Sequence, residues 1–179
     1  MPSWRLYSKI MKSHPLFTNM VVGCALGLTG DIVCQSLIEE KETIDKIRLF
    51  SLTTFCTFYH GLVNPIIYKS YQNIIPKFLQ TSSIRYGLTC TTVDNLIHVP
   101  FIYTPTFFLS TNLLQGQDWN SSWNSLSNGL IPSVTACWTM WFPLQFINFT
   151  IVPSHMRATF VNVGCLVWNV AIDHISNEF

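Results

Sequence analysis

Charge is what this sequence has least of. Ten Lys and Arg and nine Asp and Glu make up 11% of its 179 residues, where a typical soluble domain carries about 25%. A soluble fold of this size needs a charged surface, so this composition and a mean hydropathy of +0.31 argue against a soluble enzyme. A net charge of +1 also provides no concentrated basic face, so we expect no nucleic acid partner.

The motifs of catalysis and metal binding are missing as well. The six cysteines stand singly with no C-x-x-C pair, which argues against a zinc site and against a disulfide framework. The sequence has no glycine-rich phosphate loop and no G-x-S-x-G nucleophile motif. We therefore expect no catalytic residue, no metal and no cofactor, and we predict that the chain is not an enzyme.

What the sequence does have is a series of long uncharged stretches. Asp31 is the one charge between Lys12 and Glu39, and no charge occurs between Arg48 and Lys69. A hydrocarbon core about 30 Å thick needs roughly 20 helical residues, which these stretches supply. We predict an all-α integral membrane helix bundle that forms one membrane domain. Its four predicted transmembrane spans cover about 16–38, 49–68, 86–113 and 129–152.

Both ends of the chain predict further helices. The first fifteen residues carry three basic residues on one side of a helical wheel and Trp4 on another. This pattern predicts a basic amphipathic helix, either a mitochondrial address or a helix on an anionic leaflet with Trp4 at the interface. A C-terminal apolar helix at about 158–175 is either a fifth span or lies along the bundle. Seven basic residues on the N-terminal side against three on the other predict that both termini lie on the positive side, cytosol or matrix.

Two predicted spans carry a polar stripe. Four residues repeat at four-residue steps down the first span: Gly23, Gly27, Asp31 and Gln35. The glycines let another helix approach closely. Asp94 and His98 lie one turn apart on the third span. A carboxylate inside the bilayer costs several kcal/mol unless it is paired, hydrated or protonated, so Asp31 and Asp94 are candidate functional residues.

Two hypotheses for these stripes stay open. In the first, the stripes line an aqueous path, with Asp31, Gln35, Asp94 and His98 near its lumen. In the second, the carboxylates only clamp helices together, with Asp31 bonded to Gln35, Asn95 or His98. Likewise, Asp94 and His98 are either a proton relay or a satisfied core pair, whereas His60 and His155 have no partner at helical spacing.

Proline and tryptophan residues predict local features. Pro65 removes a backbone hydrogen bond and predicts a bend in the second span, and the freed carbonyl needs a partner inside the protein. Between the third and fourth spans, the nearly uncharged segment 115–128 predicts an interfacial loop with Trp119 and Trp123 at headgroup depth.

Two groups of residues resemble the motifs of one known family. Near the N-terminus, the chain reads W-x-x-Y-x6-H-P-x14-G-D-x3-Q from Trp4 to Gln35. Toward the C-terminus, a second run resembles W-x-x-W-P-x-x-Q-x-x-N-F-x-x-V-P-x-x-x-R followed by W-N, with Pro143 one residue later than usual. Together these motifs are similar to those of the Mpv17 / PMP22 family of multi-span organellar membrane proteins, over nearly the whole chain.

The resemblance implies a place and a function. It implies the mitochondrial inner membrane, with the peroxisomal membrane as the alternative, and a channel for small solutes linked to redox balance and mitochondrial DNA maintenance. The alternative function is a non-conducting structural protein that organises lipids or partner proteins. Expected partners are membrane lipid, small solutes or ions, and further copies of the chain.

The resemblance also implies roles for the C-terminal motif residues. Pro143 bends the fourth span, and Gln145 and Asn148 present amides at i and i+3 to the bundle or to a pore, with simple packing as the alternative. Arg157 lies at the interface or caps a helix carbonyl, with lipid phosphate as the alternative partner.

Overall fold

The described part of the chain is helical. The computed structural model describes residues 11, 13–153, 156–157, 160–161, 163–165 and 167–168. In chain order the segments are α1 (Pro15–Val33), π1 (Cys34–Ile38), α2 (Lys46–Phe55), π2 (Cys56–Val63), α3 (Asn64–Ile74), a 3-10 turn (Lys77–Leu79), α4 (Ser83–Val93), π3 (Asp94–Tyr103), α5 (Thr104–Leu114) and α6 (Trp119–Thr150). Uninterrupted segments form four long helices, called helix 1 (α1, π1), helix 2 (α2, π2, α3), helix 3 (α4, π3, α5) and helix 4 (α6).

Three of these four helices contain a π-helical stretch, in which an N–H bonds the carbonyl five residues back instead of four. In π3, Pro100 has no N–H to give to the Asn95 carbonyl five residues before it. The indole Nε1 of Trp138 in helix 4 donates to that carbonyl oxygen at 2.7 Å. The bond missing at Pro100 is therefore replaced by a link between helices 3 and 4.

Three further prolines lie within the long helices and do not end them. Pro65 lies in the first turn of α3, directly after π2, and Pro105 lies in the first turn of α5, directly after π3. Pro143 lies inside α6, which continues to Thr150. Helix 2 therefore changes its hydrogen-bonding pattern just before Pro65, where the sequence predicts a bend.

Helices 1 and 2 cross closely because glycines face the contact. A Cβ added to Gly23 would meet the carbonyl oxygen of Cys56 at 2.6 Å, and one added to Gly27 would meet the backbone of α2 at 2.9 Å. From the opposite side, Gly61 in π2 lies against Met20, whose Cα would be 2.5 Å from an added Cβ. Helix 4 packs along α4 and α5, and α5 also contacts α2, so the two helix pairs form one bundle.

The bundle has an apolar exterior and a partly polar interior. Large apolar side chains are exposed on every long helix, for example Phe17, Phe50, Phe101 and Ile131, each more than 60% exposed. Buried side chains include charged and amide groups such as Asp94 and Gln145. Such a distribution suits lipid outside and hydrogen-bonding partners inside.

Two described helices, Pro15–Leu37 and Trp119–Thr150, are long and apolar enough to cross a membrane. The predicted number of four spans stays a prediction for helices 2 and 3. The N-terminal amphipathic helix with Trp4 lies outside the described residues except at its end. The described residues within 160–168 are helical, and the rest of the predicted C-terminal helix lies outside them.

The helices extend beyond the predicted spans. Helix 2 covers 46–74 instead of 49–68, helix 3 covers 83–114 instead of 86–113, and helix 4 begins at Trp119. Charge gaps locate the apolar stretches, whereas side-chain caps set two of the helix starts. Asp45 accepts hydrogen bonds from the N–H groups of Ile47 and Arg48 at 3.0 and 3.1 Å.

The predicted interfacial loop over 115–128 is wrong from Trp119 onward. Asp118 caps helix 4 by accepting a hydrogen bond from the Ser121 N–H at 2.8 Å, so the helix starts ten residues before the predicted span. Trp119 and Trp123 stand on its first two turns, both exposed, with ring centroids 6.5 Å apart.

Candidate functional site

A buried hydrogen-bond network surrounds Asp94, in the middle of helix 3. This Asp94 cluster joins side chains of helices 2, 3 and 4: Tyr59, Tyr68, Tyr71, Asp94, His98, Gln145 and Asn148. Its members are each less than 7% exposed. Because π2 and π3 supply Tyr59, Asp94 and His98, the wider helical turns lie where these polar side chains meet.

Both oxygens of Asp94 have partners. Oδ1 accepts from the Tyr71 hydroxyl at 2.9 Å and lies 2.8 Å from Nδ1 of His98. Oδ2 accepts from Nε2 of Gln145 at 2.8 Å. The same Nε2 lies 2.6 Å from the Tyr68 hydroxyl, and Oε1 of Gln145 accepts from Asn148 at 2.9 Å. Each oxygen of this buried carboxylate therefore has at least one hydrogen-bond partner.

The imidazole of His98 bridges Asp94 and Tyr59. Its Nε2 lies 2.8 Å from the Tyr59 hydroxyl, on the side of the ring away from Asp94. The tautomer with hydrogen on Nδ1 satisfies both bonds, since Nδ1–H then donates to Asp94 and Nε2 accepts from Tyr59. Tyr59, His98 and Asp94 thus form a continuous chain of exchangeable protons.

A small cavity of about 30 Å³ adjoins this network. We call it the inner cavity; its lining residues are His60, Asn64, Tyr68, Asp94, His98, Val99, Tyr103, Cys137, Trp141, Gln145, Val161 and Trp168. A water molecule needs at least about 10–15 Å³ of such space, so the cavity has room for about two. The Asn64 side-chain oxygen is buried without a hydrogen-bond partner, which leaves an acceptor for water.

A second polar group, buried at Asp31, Gln35 and Arg48, lies near the end of helix 1. This ion-pair cluster consists of Asp31, Gln35, Glu39, Asp45 and Arg48. Nε of Arg48 lies 3.0 Å from Asp31, and its two terminal nitrogens contact Glu39 at 2.8 and 2.9 Å. Gln35 donates to Asp31 at 2.7 Å and accepts from the Asp45 N–H at 2.6 Å. These contacts join helix 1, the linker and the start of helix 2.

The linker residue Glu39 is held in its charged form. Burial by itself would raise the pKa of Glu39, but hydrogen bonds from Lys41 and Arg48 outweigh it and lower the pKa to about 2. The ammonium of Lys41 lies 2.8 Å from this carboxylate. The ion-pair cluster therefore keeps two carboxylates close to one guanidinium at neutral pH.

A larger pocket of about 480 Å³ opens on the side where helix 1 begins. We call it the vestibule; its described lining residues are Met11, Pro15, Leu16, Asn19, Pro65, Ile66, Tyr68, Lys69, Gln72 and Arg157. Arg157 lies at its edge and donates to the backbone oxygens of Phe149 and Val152 at 3.1 and 3.3 Å. It therefore caps the end of helix 4, one of the roles that the sequence suggests.

The sequence-derived candidates fall into separate places. Asp94, His98, Gln145 and Asn148 come together in the Asp94 cluster, whereas Asp31 and Gln35 belong to the ion-pair cluster. Within the described part of the chain, the hydrogen bonds of these two clusters share no residue. Gly23, Gly27 and Pro65 lie at or next to the contact of helices 1 and 2, and Trp4 lies outside the described residues.

One sequence-based statement about histidine is wrong. His60 does have a partner at helical spacing, because Nδ2 of Asn64, four residues on, lies 3.2 Å from its Nδ1. The Cys165 sulfur also lies 3.5 Å from that nitrogen. The spacing of His60 and Asn64 was visible in the sequence, whereas the contact with Cys165 depends on the fold. His155 lies outside the described residues.

Sequence reasoning missed the tyrosines and the arginine of the two clusters. Tyr59, Tyr68 and Tyr71 look apolar in a hydropathy profile, yet a buried phenol needs a hydrogen-bond partner. The available signal was that Tyr59 and Tyr68 lie in one uncharged stretch and that Tyr71 follows three residues later. Arg48 looks like a linker charge, but it is 3% exposed. Within the described residues, no group of three or more His, Cys, Asp or Glu is placed to hold a metal ion.

An apolar exterior, long helices and buried polar clusters define a helical membrane protein. Comparison with known proteins agrees with this class. A family model described as the Mpv17 / PMP22 family matches residues 112–172. This match, over about a third of the chain, and the curated relatives below support the resemblance to that family.

Curated relatives match along most of the chain. Peroxisomal membrane protein 2 of Bos taurus is 26% identical over 90% of this chain and 83% of its own length. PXMP2/4 family protein 3 of Dictyostelium discoideum is 27% identical over 96% and 90%. Mitochondrial inner membrane protein Mpv17 of Mus musculus is 22% identical over the full length of both. No solved structure gives a significant match.

Proposed function

We propose that this protein is a channel for small solutes in an organellar membrane. The observation that carries the proposal is the inner cavity, a space for water inside a bundle whose outer surface is apolar. Asp94, His98 and Gln145 line it, so a passing solute would meet a carboxylate, an imidazole and an amide. In the structure the cavity is too small for more than about two waters, which corresponds to a closed conformation.

The names of the relatives support an organellar membrane. They include a mitochondrial inner membrane protein and a peroxisomal membrane protein. We assign this chain to the mitochondrial inner membrane, with the peroxisomal membrane as the alternative, because of its basic N-terminal segment. Lipid acyl chains are then the partner of the exposed apolar side chains, and a homo-oligomer is part of the proposal.

The second candidate function is a non-conducting structural protein. The hydrogen-bond partners on both oxygens of Asp94 favour it, because a carboxylate bonded in this way is able to act purely by holding helices 2, 3 and 4 together. The two functions differ in what Asp94→Asn does. In a channel the substitution removes a charge beside the path and alters ion selectivity, whereas in a scaffold it alters only stability.

The test is reconstitution of the purified full-length chain into planar bilayers and liposomes. We expect wild-type protein to conduct ions under an applied potential, and Asp94→Asn to shift the reversal potential in a salt gradient. Asp31→Asn serves as the matched variant, because it removes a buried carboxylate that lines neither described cavity. Wild-type protein that passes no solute at any potential or pH would overturn the channel and leave the scaffold.

The proposal assigns no catalytic chemistry to the Asp94 cluster. Asp94 and His98 act on charge and hydration, and the reaction of an intramembrane enzyme would need a nucleophile beside them that the sequence motifs do not supply. Turnover of a substrate by the purified protein, lost in both Asp94→Asn and His98→Gln with the fold intact, would contradict this assignment.

A further inference from the structure

Tyr68 lies between two cavities of the bundle, the inner cavity and the vestibule. Of the described residues that line the inner cavity or the vestibule, Tyr68 alone lines both. Its neighbours divide between the two spaces, because Asn64 faces the inner cavity while Pro65 and Lys69 face the vestibule. Tyr68 and the turn of α3 around it therefore form part of the wall between the two cavities.

Two kinds of contact hold the Tyr68 ring in this position. Its ring packs edge to face on Phe149, with centroids 5.4 Å apart. Its hydroxyl oxygen lies 2.6 Å from Nε2 of Gln145, which also donates to Asp94 at 2.8 Å. This bond links the Tyr68 hydroxyl through Gln145 to Asp94, so a change at Gln145 or Asp94 acts on the position of the Tyr68 ring.

We propose that Tyr68 is the gate between the vestibule and the inner cavity. In the closed state its ring separates a pocket of about 480 Å³ from an inner cavity of about 30 Å³. Rotation of this one side chain joins the two spaces into a path from the side where helix 1 begins. The proposal extends the channel function proposed above and rests on it.

The ends of this path differ in charge. Lys69 and Arg157 are the charged residues among the described lining of the vestibule, whereas Asp94 is the acidic residue of the inner cavity. Solutes from that side pass a basic mouth before they meet a carboxylate behind Tyr68. The gate therefore separates regions of opposite charge, and its opening decides whether the inner carboxylate is reached.

A native thiol reports on the gate. Cys137 lines the inner cavity and is 2% exposed, so a variant that keeps Cys137 and replaces the other five cysteines has one reporter. The reconstituted full chain is treated with a small cationic methanethiosulfonate reagent, and the rate of Cys137 labelling is measured by mass spectrometry. Because the readout is chemical, it does not depend on conduction.

We expect Cys137 to be labelled at least about tenfold faster in Tyr68→Ala than in the wild-type protein, since the labelling rate follows the population of the open path. Tyr103→Ala is the matched control: Tyr103 is a buried tyrosine of the inner cavity that does not line the vestibule. The Tyr103→Ala substitution enlarges the inner cavity without removing Tyr68, so the labelling rate of Cys137 should stay within about threefold of the wild-type rate. Equal acceleration in the two variants would overturn the gate.

Further variants keep the test decisive. Tyr68→Phe retains the ring and loses the hydroxyl, so Cys137 in this variant should be labelled at a rate between those of wild type and Tyr68→Ala. A wild-type rate would show that the hydrogen bond to Gln145 does not hold the gate closed. If Tyr68→Ala does not fold, Tyr68→Leu takes its place with the same expectation. A wild-type chain that conducts nothing would reject the channel, whereas unchanged labelling in a conducting Tyr68→Leu variant would reject the gate alone.

Discussion

The two buried carboxylates of the spans differ in how their charge is balanced. Asp31 faces a guanidinium at 3.0 Å, so its charge is neutralised by a full opposite charge. The Asp94 side chain is surrounded by a phenol, an imidazole and an amide. The ion pair of Asp31 suits a fixed contact between helices, whereas Asp94 and its hydrogen-bond partners lie beside a cavity with room for water.

This difference predicts a structural role for Arg48. Arg48→Met leaves Asp31 without its counter-charge in a buried site, and such a loss costs about 3–5 kcal/mol of unfolding free energy. Unfolding of the purified protein in mixed micelles by a denaturing detergent measures it. Lys46→Met, two residues earlier and exposed, is the control and should change stability by less than about 0.5 kcal/mol. Equal effects of the two substitutions would refute the role.

The ion-pair cluster also predicts a pH dependence through Glu39. Its pKa is about 2 in the folded protein against an ordinary value of 4.5, so the unfolded chain takes up the proton first as pH falls. The stabilisation from Glu39 is complete above pH 4.5 and is lost between about 4.5 and 2. Thermal unfolding should show wild type more stable than Glu39→Gln at pH 7, with the difference vanishing near pH 2. The exposed Glu42→Gln variant should show no such convergence.

At the scale of the helix, the π stretches explain how polar groups reach the interior. Each wider turn shifts the helix face by part of a residue, and π2 and π3 bring Tyr59 and His98 within 2.8 Å of each other. Helical periodicity in the sequence predicts that Asp94 and His98 share a face. It does not predict π turns, because apolar spacing over one or two turns is compatible with either hydrogen-bonding pattern.

At this scale, the sequence could predict the features that depend on residues close together in the chain. Charge gaps locate four helices, and the four-residue repeat of Gly23 and Gly27 points to a close helix contact. The hydrogen-bond partners of Asp94 on helices 2 and 4 could not be predicted from local spacing, because Tyr71 and Gln145 lie 23 and 51 residues away from it. The helix start at Trp119 depends on the Asp118 cap, which hydropathy does not register.

The glycine contact predicts a specific loss on enlargement. Gly23→Ala places a Cβ 2.6 Å from the Cys56 carbonyl oxygen, a backbone atom that cannot move without shifting helix 2. Overpacking of this kind costs about 1–3 kcal/mol. Detergent-induced unfolding measures it, with Ala25→Val as the control on the exposed face of the same helix. A Gly23→Ala variant as stable as wild type would show that the two helices are not in contact there.

For the whole molecule, the arrangement of polar and apolar surface is that of a membrane bundle. Helices 2 and 3 are not among the described helices that are long and apolar enough to cross a membrane by composition, and both bury polar side chains such as His60 and Asp94. Hydropathy averages over all sides of a helix, whereas lipid meets only the outer one. On that outer side, Phe58 and Phe101 are exposed, as a spanning helix requires.

Length gives a second argument that helices 2 and 3 cross the bilayer. Helix 2 consists of uninterrupted segments of 10, 8 and 11 residues, which extend over roughly 40 Å. This exceeds a hydrocarbon core of about 30 Å. Packed alongside helix 1 over the glycine contact, it has the reach to bring the chain back to the side where helix 1 begins.

This geometry predicts the sidedness of three loops. In a cysteine-free chain, Glu42→Cys and Gln117→Cys should be labelled from one side of oriented vesicles by an impermeant maleimide. Thr81→Cys should be labelled from the other, because helices 2 and 3 each cross once between these positions. All three residues are exposed, so unequal reactivity reports sidedness and not burial, and labelling after detergent lysis verifies that each thiol reacts. If positions 42 and 81 react from the same side, helix 2 does not cross, and the vestibule and the ion-pair cluster do not lie at opposite faces of the membrane.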